Sequence, residues 1–136
     1  MASETDTMLR DILQNTERIA VVGCSTSPGK AAHDIPKYML EHGYEIIPVN
    51  PYADEIFGQK AYDDLAEVPE GVDLVDVFRP SEETGPIVDA AIERDDVATI
   101  WLQLGITNET AGDRAREAGK RFVQDRCLKV EHQRLM

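Results

Sequence analysis

Apolar positions along the chain fall into two alternating rhythms. Over residues 5–15, Met8, Leu9, Ile12 and Leu13 recur at helical spacing and predict a leading helix. Ile19, Ala20, Val21 and Val22 follow as a continuous apolar run, the pattern of a strand buried on both faces. Residues 31–42 return to the helical period, with Ile35, Tyr38 and Met39 on one face and Gly43 as a stop signal. A second strand is predicted over 44–49, ended by Asn50-Pro51, and a turn or two of helix over 63–68, closed by Pro69. Residues 72–78 alternate and predict a third strand. Pro80 then opens a helix whose buried face carries Ile87, Ala91 and Ile92. A fourth strand (97–102), a helix (108–118) ending at Gly119, a short fifth strand (121–124) and a closing turn or two of helix (128–135) complete the pattern.

Strands alternating with helices at this spacing predict an α/β fold: one domain over 1–136, with 1–18 as the leading helical segment. Its core would be a mostly parallel, doubly wound five-stranded sheet with helices on both faces. In such sheets ligands bind beyond the carboxyl ends of the strands, near the point where strand order reverses.

Charge narrows the classes of partner. The 136 residues carry 14 Lys plus Arg against 26 Asp plus Glu, a formal net charge of −12. No basic patch stands out, which argues against a nucleic-acid partner. No run reaches the ~18 apolar residues a membrane-spanning helix needs, and the acidic start does not resemble a secretory signal. The acids are spread over the whole chain, and Arg outnumbers Lys nine to five. An even acidic coat suits a salt-rich environment, so a halophilic source is an expectation, with loss of fold in low salt as its sign. Two distant cysteines, Cys24 and Cys127, and three scattered histidines form no metal-ligand or disulfide pattern, and a reduced cytoplasmic location is expected.

The loop after the first strand carries the candidate chemistry. Gly23-Cys24-Ser25-Thr26-Ser27-Pro28-Gly29-Lys30 leads from strand to helix. Its small and hydroxyl residues, the helix start and the lysine together suit a phosphate; an ordinary tight turn is the other reading. GxGxxG is broken by Ser25 and Pro28, and a P-loop by Ala31 after Gly29-Lys30. Where nicotinamide-dinucleotide sites place an acid, the second strand ends in Asn50, which disfavours NAD.

In order along the chain, Val21-Val22-Gly23-Cys24-Ser25 with Pro28 and Lys30, then 43–51, 72–79, Trp101-Leu102-Gln103-Leu104-Gly105, Asn108-Glu109 and 125–132 resemble the small stand-alone coenzyme A-binding proteins. That family is similar to the nucleotide-binding domain of the succinyl-CoA synthetase alpha subunit and has a Rossmann-like fold. The resemblance implies that Gly23, Ser25, Thr26, Ser27 and Lys30 hold the phosphate portion of coenzyme A. It implies that Val49, Asn50 and Pro51 line the adenosine end, that Phe78 and Arg79 border the ligand, and that Gln103 and Gly105 lie near the pantetheine arm. Cys24 stands where the family often has Gly or Ala. The synthetase's phosphorylated histidine belongs to a second domain absent from this sequence, so its ligase reaction is not carried over.

Other residues carry two readings each. Lys30 is a phosphate partner or an exposed lysine; Arg79 meets a phosphate or pairs with a surface acid. Asp73 and Asp76 are not side by side on one face; Asp76 reads as an acid at the core edge that caps a loop, with a paired-carboxylate catalytic role as the weaker reading. His33 and Asp34 begin a helix, where Asp complements the dipole, with a general-base role as the weaker reading. Cys24 is either a reactive thiol in the ligand loop or a small buried residue packing the turn. Trp101 reads as core or as an oligomer contact. No GxSxG, HExxH or other nucleophile–base motif is present, and no catalytic or metal-ligating residue is assigned. The expected function is binding of coenzyme A or an acyl-CoA as a non-catalytic carrier, sensor or partner subunit. The alternative is an enzyme on the same fold, using Cys24 in acyl-CoA chemistry or a nicotinamide cofactor. A homo-oligomer or a protein partner stays open.

Overall fold

The computed structural model describes residues 3–136. The elements in chain order are α1 (Glu4–Asn15), β1 (Arg18–Val22), α2 (Ala31–Glu41), β2 (Glu45–Val49), β3 (Glu55–Ile56), β4 (Gln59–Lys60), a 3-10 turn (Leu65–Glu67) and β5 (Leu74–Val77). A second 3-10 turn (Ser81–Glu83) leads into α3 (Thr84–Ile92), followed by β6 (Thr99–Leu102), α4 (Glu109–Glu117), β7 (Arg121–Val123) and α5 (Leu128–Leu135). The five predicted strands and the major helices are all present, each within a few residues of its expected ends.

Five strands form one parallel sheet in the order β2-β1-β5-β6-β7. Beyond β2, Tyr62 makes a single parallel bridge to Val49. Its carbonyl accepts from Asn50 N–H at 2.8 Å, and its N–H donates to Pro48 O at 3.1 Å. Counted as a vestigial strand, this segment gives the sheet the doubly wound order 3-2-1-4-5-6 of dinucleotide folds. The order reverses between β1 and β5.

Alternation along the strands divides the core in two. Ile19, Val21, Ile46, Leu74, Trp101 and Val123 face α1, α2 and α5, which contribute Leu9, Ile12, Leu13, Met39 and Leu128. Ala20, Val22, Val75, Val77, Ile100, Leu102 and Phe122 face α3 and α4, where Val88, Ala91, Ala111 and Ala115 meet them. The strands are buried on both faces, as their unbroken apolar runs require. Trp101 is core: it is fully buried, and its indole N–H donates to Arg126 O at 2.8 Å.

Asp76 corrects its sequence reading. It is 1% exposed on the central strand, level with Val21 and Trp101, and caps no loop. Gln103 Nε2 donates to its Oδ1 at 2.6 Å, and Oδ2 has no partner. Burial pushes this carboxyl up to about 7, opposed by the Gln103 hydrogen bond. Capping belongs to Asp73 instead, whose carboxylate accepts from Glu17 and Arg18 N–H at 2.9 Å each.

Candidate functional site

A cleft of about 840 Å³ opens at the carboxyl ends of β1, β2 and β5, at the point of strand reversal. One wall is the loop from Gly23 to Lys30 with the Asn50-Pro51-Tyr52 turn; the other is built from Asp63, Asp64, Leu65 and Ala66, with Pro86, Ile87 and Ala90 of α3.

Gly23 lets the first loop leave the sheet. Its φ is +86°, and a Cβ there would lie 2.7 Å from the Phe78 carbonyl oxygen. Only glycine combines that conformation with so close an approach of the two strand ends. The loop is then tied from within. Ser25 N–H donates to Ala32 O at 3.0 Å, Ser27 N–H to Ser25 Oγ at 3.0 Å, and Gly29 N–H to Asp34 Oδ1 at 3.1 Å. His33 Nδ1 lies 2.8 Å from Ser25 O and its ring packs on Phe57, so this histidine buttresses the loop. The N-cap of α2 is Lys30, whose side chain makes no capping hydrogen bond. The positive end of the helix therefore carries an added cation in place of the usual acceptor, a pairing that favours an anion.

Asn50 ties together the two segments of the first wall. Its Nδ2 donates to Cys24 O at 2.9 Å, and its Oδ1 accepts from Tyr52 N–H at 2.8 Å. The opposite wall is pinned by Arg94, which donates to Leu65 O, Val68 O and Pro69 O and pairs with Asp96 at 2.8 Å. Asp96 in turn accepts from Gly71 and Val72 N–H. The Arg94 guanidinium and these two amides hold its carboxyl well below the usual carboxylate range. Also on the lining, Arg79 Nη2 donates to both oxygens of Glu83 at 2.9 Å.

Of the residues singled out from sequence, Gly23, Ser25, Thr26, Ser27, Lys30, Val49, Asn50, Pro51 and Arg79 line this cleft. Phe78, Gln103 and Gly105 do not. Phe78 packs against the core on the α1–α2 side. Gln103 is 3% exposed and turned inward, serving Asp76 and accepting from Leu128 N–H at 3.3 Å. Gly105 N–H donates to Asp125 Oδ1 at 2.7 Å. The exposed Tyr52, the Asp63–Asp64 pair and the α3 wall were not foreseen. An exposed aromatic and a helix flank give no periodic signal; the one local cue to Tyr52 is its place in the turn beside Asn50. Cys24 is fully buried, and burial with the nearby Asp76 charge pushes its thiol up to about 12. Such a thiol stays protonated and packs the turn. Both cysteines are free.

A model of the CoA binding domain family matches residues 17–133. The chain belongs to that family. It is 40% identical over 132 residues to the uncharacterized protein YneT of Bacillus subtilis, covering 97% of each chain. A solved structure from Thermus thermophilus, 38% identical, superposes on this CoA-binding-family domain with a TM-score of 0.90 and covers 96% of it and 98% of that chain. An ADP-forming acetate–CoA ligase of Methanocaldococcus jannaschii is 25% identical over 119 residues, 82% of this chain but 17% of the enzyme. The domain thus spans a small part of that ligase's length. No helix among the described residues is long and apolar enough to cross a membrane, and no group of three metal-ligating side chains occurs among them.

Proposed function

We propose that this domain binds coenzyme A or an acyl-CoA in the cleft at the sheet's switch point, as a non-catalytic carrier, sensor or partner subunit. The observation that carries the reading is the uncapped start of α2, with Lys30 and the hydroxyls of Ser25, Thr26 and Ser27 on one rim of a cleft. Membership of the CoA binding domain family supports it. The residues fit the ligand's chemistry: an anion subsite at the helix start, and an aliphatic wall of Leu65, Ala66, Pro86, Ile87 and Ala90 for an uncharged arm. Phe78, Gln103 and Gly105 act from behind this surface, as supports of the strand ends.

The enzyme reading fares worse. A buried, protonated Cys24 is a poor nucleophile for acyl transfer. Asn50, the residue in the place of the ribose-binding acid, spends its amide on Cys24 and Tyr52, leaving a nicotinamide dinucleotide without that contact. Mapping of backbone amide shifts tests the site. Adding coenzyme A should move Cys24, Thr26, Ala31 and Ala32 most; shifts confined to the far end of the sheet would refute the placement. The dispersed acids support a salt-requiring protein, and the two free cysteines support a reducing cytoplasm. The thermal midpoint should then rise steadily with potassium chloride, and a flat response would refute that part.

A further inference from the structure

Tyr52 is the one aromatic residue that lines the cleft among the described residues, and it is 96% exposed. A single exposed tyrosine needs no explanation in general. This one is different because the fold fixes its place. The Tyr52 N–H is held by Asn50 Oδ1 at 2.8 Å, Ala53 N–H reaches Asn50 O at 3.4 Å, and the same Asn50 side chain grips Cys24 O of the phosphate-side loop. One asparagine therefore sets the position of the tyrosine-bearing turn relative to the loop beside Lys30. The ring gains no burial from this arrangement, so the fold's own packing does not account for it.

We infer that Tyr52 is the stacking platform for the adenine base of the ligand, positioned by Asn50. The inference rests on the coenzyme A reading of the cleft and adds the residue that reads the base. Adenine is the ligand's only aromatic group, and every other lining side chain is aliphatic, hydroxylic, amide, thiol or charged. A base with no ring to stack on would face water and these groups alone. Stacking on an aromatic side chain tolerates any attachment to the base, so other adenine nucleotides should use the same ring, whereas a ligand without the base gains nothing from it.

The test compares coenzyme A with 4′-phosphopantetheine, which keeps a phosphate and the pantetheine arm but lacks adenosine. Affinities are measured for wild type, Tyr52→Ala and Tyr52→Trp, with ADP as a third probe. Tyr52→Ala should weaken coenzyme A and ADP by about tenfold and leave 4′-phosphopantetheine unchanged, while Tyr52→Trp keeps or improves coenzyme A binding. In Tyr52→Trp the new exposed indole should be quenched by coenzyme A and not by 4′-phosphopantetheine; the native Trp101 is fully buried and supplies a constant background. Unchanged coenzyme A affinity in Tyr52→Ala overturns the inference and leaves the cleft reading standing. Equal losses for coenzyme A and 4′-phosphopantetheine also overturn it, since the residue would then be shaping the turn. If wild type binds neither coenzyme A nor ADP, both the inference and the cleft reading fall.

Discussion

Replacing Asp76 with asparagine should make the protein more stable at neutral pH and remove a pH dependence that the wild type shows. Asp76 sits on the central strand, 1% exposed, with one oxygen bonded to Gln103 and the other unpartnered. Burial raises its carboxyl from 3.8 to about 7, so the fold accommodates the neutral acid and resists the anion. Between those two values the unfolded chain has released the proton and the folded chain still holds it. Stability therefore falls as pH rises, by up to about 1.4 kcal/mol per pH unit, and levels off above the folded value. Asparagine keeps the shape and the acceptor for Gln103 Nε2 but has no proton to lose. From pH 5 to pH 8 the variant should gain about 3 kcal/mol on the wild type, from roughly two pH units of this slope. Urea unfolding of both proteins at several pH values in that range gives the difference directly, and titrations common to both cancel. If the two stability curves run parallel, Asp76 does not change its protonation on unfolding in this range and the reasoning fails.

Two other substitutions probe the walls of the cleft. Gly23→Ala forces a side chain into a left-handed backbone 2.7 Å from the Phe78 carbonyl; it should cost about 2 kcal/mol or more in chemical denaturation and weaken ligand binding, and a neutral result would mean the two strand ends separate freely. Glu83→Gln removes the carboxylate that occupies Arg79 and one of the three acids on the lining, so coenzyme A affinity should rise about threefold at low salt and the gain should fade in high salt. An affinity that falls in Glu83→Gln would show that Arg79 needs its glutamate to be held in place.

The sheet was readable because strands buried on both faces must be apolar throughout, and Ile19 to Val22 and the run ending at Leu102 are nearly so. The loop from Gly23 to Lys30 stands out as a candidate in the sequence because its small residues, the lysine and the following helix are contiguous. Asp76 is not legible as a core residue because its partner, Gln103, lies 27 positions later, just past the end of the neighbouring strand β6, and nothing local marks an acid as buried. The β3–β4 hairpin was missed for a different reason. Its two-residue turn is Phe57-Gly58, with φ of +56° and +72°, and phenylalanine gives none of the Asn-Gly signal that such turns usually carry. The segment at Tyr62 that completes the doubly wound order is one bridge long, too short for any periodicity. The far wall of the cleft depends on Arg94 gathering three carbonyls of the 65–69 segment, a long-range arrangement that an arginine in a sequence does not announce.

The central claim is that the cleft beside the start of α2 holds coenzyme A, with Lys30 on its phosphates. Titration calorimetry with coenzyme A and NAD, in high-salt buffer, on wild type and Lys30→Ala addresses it most directly. The account predicts micromolar or tighter binding of coenzyme A, weakened about tenfold by the substitution, the loss expected for one hydrogen bond between charged groups. It is contradicted if NAD binds and coenzyme A does not, or if coenzyme A binds equally well without Lys30.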